Sequence, residues 1–207
     1  MKIILENIGK QYKEEWIFQN VNFEFNSGNS CVILGPNGSG KSTLLSIISS
    51  HMIPTTGILH YFNDTKELKQ EEIFRSVSVC SPYIELIEEF SLDENVNFFL
   101  SFKKLIKGIY ADDIAEITHL KRTGNKPLQQ FSSGMKQRVK LALAILADVP
   151  VVLLDEPCAN LDAEGMEWYK NLVAKYSENR LFIVSSNDQK TEFDFCNSEF
   201  HVNNFKL

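Results

Sequence analysis

The chain has 207 residues, of which 43% are hydrophobic, and its formal net charge is -6. This length suits one compact domain with a buried core, and a negative charge without a basic block argues against a nucleic-acid partner. No apolar run reaches the ~18 residues that predict a membrane-spanning helix, and residues 1–7 are charged too early for a signal peptide. The four cysteines form no C-x-x-C pair, which favours reduced thiols in a soluble, cytosolic protein.

The periodicity of apolar residues predicts an α/β protein. Strands are predicted over 2–8, 21–25, 31–34, 57–62, 77–80, 149–154, 181–184 and 199–202. Helices are predicted over 43–48, 92–105, 111–120, 133–148 and 163–176, and a loop over 121–131. We therefore expect a single domain in which a core lobe (about 1–83 and 149–207) is interrupted by a helical lobe (about 84–148).

A glycine-rich loop follows the apolar strand predicted over 31–34. Residues 35–42 match the phosphate-loop pattern G-x-x-x-x-G-K-[ST] between a strand and a helix, which is the context this motif requires. Glycine permits the positive φ angles that turn N–H groups toward an anion, and the helix N-terminus adds donors. Lys41 is expected to reach the β- and γ-phosphates, and Ser42 to complete a Mg²⁺ shell. The loop is predicted to bind a nucleoside triphosphate through Gly35, Pro36, Asn37, Gly38, Ser39, Gly40, Lys41, Ser42 and Thr43.

Two adjacent carboxylates, Asp155 and Glu156, end the apolar strand predicted over 149–154. Alone, this pair is weak evidence, because two solvated acids at a strand end would look the same. With a phosphate loop in the same chain, Asp155 can hold Mg²⁺ through its water shell. Glu156 can orient or deprotonate the attacking water.

A second phosphate-binding shape is predicted at the start of the helix over 133–148. Small residues precede an exposed helix N-terminus in the segment 131–135, which reads Phe-Ser-Ser-Gly-Met. A plain N-cap by Ser132 or Ser133 is the alternative, and the segment alone favours it. A true second site would serve the nucleotide of a neighbouring subunit.

Taken together and in this order, the motifs resemble those of the ATP-binding-cassette (ABC) ATPases. The resemblance rests on the phosphate loop, Ser-x-Gly-x-x-Gln-Arg at 132–138, Leu-Leu-Asp-Glu-Pro at 153–157 and Asn-Leu-Asp at 160–162, and it covers nearly the whole chain. It implies a P-loop NTPase core with an antiparallel β edge and an inserted helical subdomain, and ATP and Mg²⁺ as cofactors. It also implies that two cassettes close head to tail, so that Ser132 and Gly134 of one contact the ATP held by the other.

The same resemblance assigns an aromatic residue to the adenine ring. Tyr12 occupies the position where the family keeps an aromatic residue that stacks on adenine. Trp16 remains a rival for this role, since any aromatic face can stack, and a surface tyrosine is the plain alternative.

Three positions depart from the family pattern. Met135 replaces the glutamine of the signature segment, Tyr83 replaces a glutamine that senses Mg²⁺ and water, and Asn187 replaces a switch histidine. Asn187 can still donate a hydrogen bond to a γ-phosphate, but it carries no charge. We therefore expect catalysis by Lys41, Glu156 and Asn187 to be slow or partner-dependent.

The resemblance and the absence of a membrane span favour an ATP-hydrolysing subunit that powers an ABC transporter through separate transmembrane permease subunits. By resemblance, residues 83–107 would grip a cytoplasmic helix of the permease. Such a subunit would be cytoplasmic and peripheral on the inner face of the cell membrane. One alternative is an ATP-gated regulatory or structural subunit with little turnover, which Tyr83 and Asn187 support. Another is a non-transport ABC ATPase of the DNA-maintenance branch, whose long insertions and basic surface this chain lacks.

Overall fold

The computed structural model describes residues 1–206. The strands are β1 (Lys2–Tyr12), β2 (Glu15–Asn26), β3 (Cys31–Leu34), β4 (Thr56–Asn63), β5 (Lys66–Glu67), β6 (Val77–Cys80), β7 (Val151–Asp155), β8 (Leu181–Ser186) and β9 (Ser198–His201). The α-helices are α1 (Lys41–Ile48), α2 (Gln70–Ser76), α3 (Leu92–Leu100), α4 (Asp113–Ile117), α5 (Ser133–Leu146) and α6 (Ala163–Tyr176). Short 3-10 helices cover Lys121–Thr123, Leu128–Gln130, Lys190–Glu192 and Val202–Phe205.

The strands form two sheets. An antiparallel sheet has the order β2-β1-β4-β5, and a parallel sheet has the order β6-β7-β8-β3-β9. All residues of β3, β7 and β8 are buried, as expected for parallel strands that are covered on both faces. The chain is therefore α/β with an antiparallel edge, as the sequence predicts.

Alternate residues of the parallel strands point into two hydrophobic clusters. Val32, Val152 and Val184 pack with helices α5 and α6, whereas Ile33 and Ile183 pack toward α1 and the antiparallel sheet. This alternation follows from the two-residue period of a strand. Because β3, β7 and β8 are parallel neighbours, their carboxyl ends meet at one edge of the sheet, where ligands of such folds bind.

The predicted strand over 2–8 extends to Tyr12, and the one over 21–25 begins already at Glu15. Register shifts interrupt the pairing of β1 with β2, so the apolar alternation that marks a strand is lost in these segments. Helix α1 begins at Lys41 rather than at residue 43. The apolar pattern of the sequence does not predict α2 or β5.

Helix α3 was predicted to reach residue 105, but it ends at Leu100. The backbone beyond it pairs instead with the chain after α5. Ile106 N–H donates to Leu146 O at 2.9 Å, and Asp148 N–H donates to Lys104 O at 2.8 Å. A contact between distant segments thus overrides the local helical pattern.

Helix α4 covers Asp113–Ile117, so the prediction over 111–120 was too long. His119 adopts a positive φ of 61°, a conformation that does not continue a right-handed helix. Residues 121–131, predicted as loop, contain two of the 3-10 helices. Among residues 1–206, none of the helices combines the length and the apolar character that crossing a bilayer requires.

Candidate active site

The phosphate loop joins β3 to α1 at the carboxyl edge of the parallel sheet. Gly38 and Gly40 adopt positive φ angles of 74° and 101°, which disfavour residues with a Cβ atom. A Cβ atom on Gly40 would also lie 2.5 Å from Ile17 Cγ2 on β2. The antiparallel sheet therefore packs directly against the loop and fixes its shape.

The Lys41 side chain is only 4% exposed, although it carries a positive charge. Its ammonium donates to the backbone oxygens of Gly35 at 2.9 Å and Pro36 at 3.3 Å. The only acidic atom within 4 Å of it among the described residues is Glu156 Oε1, at 3.9 Å. A buried cation with mostly neutral partners is suited to an incoming anion.

Ser39 is buried, and within residues 1–206 its hydroxyl is the buried side-chain polar atom that lacks a hydrogen-bond partner. Leaving such a group unpaired costs about 1–3 kcal/mol. A phosphate oxygen at the loop would accept this hydroxyl's hydrogen bond. The loop residues thus fit the triphosphate that the sequence predicts.

Asp155 ends β7 and is 2% exposed. The hydroxyl of Ser185 on β8 donates to its Oδ1 atom, and the Ser81 hydroxyl lies 3.5 Å from its Oδ2 atom. None of the ion pairs among the described residues includes Asp155. A buried carboxylate without a cationic partner fits the outer shell of a divalent metal ion.

Glu156 follows Asp155 in a left-handed backbone conformation with a φ of 46°. This costs energy in a residue with a side chain, and such strain concentrates at functional sites. Its N–H donates to Ser185 O at 3.0 Å, which holds the turn against β8. The side chain reaches a cleft of about 420 Å³ lined by Ile17, Asn37, Gly38, Gly40, Lys41, Ser42, Thr43, Pro82, Tyr83 and Glu156.

Three further residues predicted for the site do not line this cleft: Tyr12, Trp16 and Asn187. Tyr12 is half exposed at the end of β1, and its hydroxyl donates to Met52 Sδ at 3.3 Å. The Trp16 ring packs toward Gly9, where an added Cβ atom would lie 3.0 Å from Cζ3. Asn187 is exposed directly after β8, and its side chain makes none of the hydrogen bonds found within residues 1–206.

Ser132 and Gly134 lie at a different cleft of about 1120 Å³, away from the phosphate loop of the same chain. Ser132 is the N-cap of α5, and its Oγ atom accepts a hydrogen bond from the Met135 N–H at 3.2 Å. An added Cβ atom on Gly134 would lie 2.8 Å from Asn160 O, so glycine is required for this close packing. Ser132 is thus an N-cap, as the alternative interpretation predicted. Its side chain also lines the cleft.

The sequence model of the ABC transporter family matches residues 18–159, more than half of the chain. The chain belongs to this family. A probable sulfate/thiosulfate import ATP-binding protein of Chlorella vulgaris is 32% identical over 93% of this chain and 84% of its own length. A lantibiotic transport ATP-binding protein of Streptococcus pyogenes is 28% identical over 88% of this chain and 78% of its own length.

Not all relatives have the same extent as this ABC chain. It spans 59% of the sulfate/thiosulfate import ATP-binding protein of Thermosynechococcus vestitus, to which it is 30% identical. Similar coverage, 58%, holds for the corresponding protein of Gloeobacter violaceus. These relatives are thus considerably longer than the cassette described here.

Solved structures agree with the family assignment. A dimeric ATP-binding cassette in a post-hydrolysis state, bound to ADP and Pi, is 28% identical and superposes with a TM-score of 0.79 over 92% of this chain and 90% of that chain. An ATP-binding subunit of an ABC transporter, 22% identical, has the same fold with a TM-score of 0.84. The predicted ABC ATPase fold is confirmed, and these findings support ATPase activity for the chain.

Two residues near the ABC cassette's carboxylates could not be found from the sequence. Ser185 supports Asp155 from β8, and Glu192 lies buried in the 3-10 helix Lys190–Glu192. Burial raises the pKa of the Glu192 carboxyl, and the nearby charges of Glu156 and Asp155 add to the rise. Neither residue belongs to a local sequence motif, so nothing in the surrounding sequence predicts that Ser185 or Glu192 lies near the site.

Proposed function

We propose that the chain binds ATP with Mg²⁺, hydrolyses it at an interface between two cassettes, and powers a membrane transporter through separate permease subunits. The observation that carries this proposal is the cleft that unites the phosphate loop with Glu156. There a buried ammonium and backbone donors face a carboxylate across a space of about 420 Å³.

The phosphate loop would bind the anionic end of ATP. Lys41 would exchange its carbonyl partners for the β- and γ-phosphates, and the unpartnered Ser39 hydroxyl would donate to a phosphate oxygen. Ser42 and Asp155 would hold Mg²⁺, which neutralises charge on the phosphates when bound. Asp155 is kept in place for this by the hydroxyls of Ser185 and Ser81.

Glu156 would orient the attacking water and take its proton, since its carboxylate is within reach of the cleft and is 39% exposed. Asn187 would donate a hydrogen bond to the γ-phosphate. Tyr83 lines the cleft where the family usually has a glutamine. Losing one positioning donor costs on the order of 10²–10³ in rate, so we expect slow or partner-dependent hydrolysis.

The adenine ring would stack on Tyr12, with Trp16 as the rival platform. Tyr12 is half exposed, with the Lys10 ammonium 5.3 Å from its ring centroid, whereas Trp16 packs toward Gly9. Stacking on an aromatic ring contributes about 1–3 kcal/mol per base, so Tyr12→Ala is the change that separates the two.

The signature segment would complete the ATP site of a second cassette. Support comes from the separation of the two clefts within one chain, and from the dimeric state of the 28% identical cassette that was solved with ADP and Pi. The Ser132 hydroxyl and the Gly134 N–H would contact the γ-phosphate held by the partner.

A trapping experiment tests this arrangement. Glu156→Gln should bind ATP without cleaving it, and with Mg²⁺ and ATP it should elute as a dimer in light scattering. Adding Ser132→Asp to this variant should abolish the dimer, because a carboxylate would then face the γ-phosphate of the partner's ATP. Ser132→Asn is the matched control, since Asn and Asp cap a helix equally well. Dimers in all three variants would contradict a shared site.

The permease would dock in an apolar groove of about 690 Å³ beside α2 and α3. Its lining includes Phe74, Ile84, Phe99 and Lys103, and Phe74 and Ile84 are exposed hydrophobic residues. Exposed apolar surface of this kind marks a contact site for a partner. Docking there would hold the chain peripherally on the inner face of the cell membrane.

Co-purification from detergent-solubilised membranes tests this assignment. The tagged chain should retain integral membrane subunits, and Phe74→Asp should release them. The control is Ile58→Asp, an equally drastic change at an exposed position of β4. Retention of the membrane subunits by Phe74→Asp would contradict docking at this groove.

An ATP-gated subunit with little turnover is the second candidate, and Asn187 and Tyr83 favour it. It would form the ATP-dependent dimer in the wild-type chain without releasing phosphate.

A further inference from the structure

Glu192 is buried between the segment that follows β7 and the end of β8. Its side chain is 2% exposed, and its carboxylate accepts hydrogen bonds from both segments. Oε1 accepts from the Cys158 N–H at 3.1 Å, and Oε2 accepts from the Ser186 hydroxyl. The same hydroxyl accepts from the Gln189 N–H at 3.2 Å, which closes the turn after β8.

The two segments carry the groups assigned to hydrolysis. Cys158 follows Glu156 and Pro157 in the chain, and Ser186 directly precedes Asn187. The Glu192 carboxylate therefore connects the segment that carries Glu156, the proposed base, to the segment that carries Asn187, the proposed γ-phosphate donor. Asn187 has no hydrogen-bonded side-chain partner within residues 1–206, so its position depends on the backbone that Ser186 anchors.

The link costs free energy, because none of the ion pairs among the described residues includes Glu192. A buried carboxylate without a cation is unfavourable unless its hydrogen bonds compensate. Burial also raises the pKa of this carboxyl. An apolar side chain would fill the space at lower cost, so its two hydrogen bonds are the property that distinguishes Glu192.

We propose that Glu192 is a positioning residue for ATP hydrolysis, which holds the segments that carry Glu156 and Asn187 at a fixed separation. This inference rests on the proposed function. The phosphate loop lies between β3 and α1, which Glu192 does not contact through its carboxylate. Its loss should therefore lower kcat and leave ATP affinity nearly unchanged.

The test measures kcat by steady-state phosphate release, and Kd with a fluorescent ATP analogue, in the full chain. Glu192→Ala should lower kcat by roughly 10- to 100-fold, in line with a small misplacement of catalytic groups, with Kd changed less than about threefold. Glu192→Gln should recover most of kcat. Its amide oxygen can accept from the Cys158 N–H, while its NH₂ donates to the Ser186 hydroxyl.

Tyr169→Phe is the matched control, because the Tyr169 hydroxyl donates at 2.8 Å to the backbone oxygen of Glu192 and does not contact the carboxylate. Its kcat should stay within about twofold of wild type. If Glu192→Ala does not fold, Ser186→Ala decides, since it removes one of the two links and should lower kcat with unchanged Kd.

Each outcome has a defined meaning. An active wild type whose kcat survives Glu192→Ala, or a Glu192→Gln variant as impaired as Glu192→Ala, overturns the positioning role alone. Equal losses in Tyr169→Phe and Glu192→Ala would point to a general packing defect and also overturn it. A wild type that releases no phosphate overturns the proposed hydrolysis, and this inference with it.

Discussion

Several residues of the phosphate loop and its surroundings have unsatisfied or strained conformations in the folded chain, and a bound ligand would relieve them. The Ser39 hydroxyl is buried without a partner, and the Lys41 ammonium is bound to backbone oxygens. Glu156 stands in a strained left-handed conformation beside them. Binding of a triphosphate would give the first two groups new hydrogen-bond partners. The free energy that their burial costs in the folded chain would then be recovered and would contribute to the affinity for ATP.

Gly40 is the loop position at which a side chain is least tolerable. Gly40→Ala would combine an unfavourable φ with contacts to Ile17, and should cost about 2–4 kcal/mol of unfolding free energy. ATP binding should weaken with it. Gly28→Ala is the control, because Gly28 also has a positive φ but nothing within 4 Å of its added Cβ atom. It should cost about 1 kcal/mol. Equal losses in urea denaturation would contradict steric packing at Gly40.

Lys103 should make stability depend on alkaline pH. Burial lowers the pKa of its ammonium from 10.5 to about 8 in the groove beside Phe74. Between these two values the unfolded chain binds more protons than the native chain, so the native state gains stability as pH rises through about 8. The Tm of wild type relative to Lys103→Met should therefore rise from pH 7 to pH 10. Lys104→Met, at an exposed neighbour, is the control, and a constant Tm difference for Lys103→Met would contradict the shift.

The residues of the site differ in how far sequence could predict them. Gly38, Gly40 and Lys41 belong to one contiguous motif whose spacing encodes its own geometry, so their grouping was predictable. Ser185 and Glu192 reach the same edge from other strands and turns, through contacts that no local pattern records. A sequence pattern can predict a contiguous motif, but it does not predict which distant side chains will contact that motif.

At the scale of elements, the ends of helices are determined largely by tertiary contacts. Helix α5 was predicted to reach residue 148, but it stops at Leu146, and the following strand begins at Val151 rather than at residue 149. Arg180, remote in sequence, donates to the backbone oxygens of Ile145, Ala147 and Val149 at 2.6, 2.9 and 2.9 Å. It thereby satisfies the Ile145 carbonyl, which the end of α5 leaves without an intrahelical donor, and it ties down the backbone that follows.

Arg180→Met should lower the free energy of unfolding, because the end of α5 depends on the hydrogen bonds from Arg180. Removing the guanidinium takes its donors from the carbonyls of Ile145 and Val149, while Ala147 O keeps the hydrogen bond from the Val149 N–H, and the cost should be about 2–3 kcal/mol. Lys170→Met is the comparison, since it breaks only a surface ion pair to Asp194 at 2.7 Å, and exposed ion pairs contribute little to stability. Unfolding by guanidinium chloride measures both. Equal destabilisation of the two variants would contradict the capping role of Arg180.

At the scale of the whole molecule, the parallel sheet separates two hydrophobic clusters and presents the phosphate loop, Asp155 and Glu156 at one edge. The continuous apolar runs of β3, β7 and β8 predict this architecture well, because both faces of the parallel sheet are covered. The cleft at Ser132 and Gly134 is separate from the phosphate loop within the chain. Two cassettes arranged head to tail would unite them, which makes dimerisation a requirement of the proposed chemistry.

Steady-state phosphate release with Mg²⁺ and ATP tests the central claim most directly. The measurement compares wild type with Glu156→Gln, which keeps the shape of the side chain but removes the base. The wild type should release phosphate at least about 10² times faster, since a general base contributes typically 10²–10⁴ in rate. Release by wild type no faster than by Glu156→Gln, even with the proposed permease present, would contradict ATP hydrolysis by this chain.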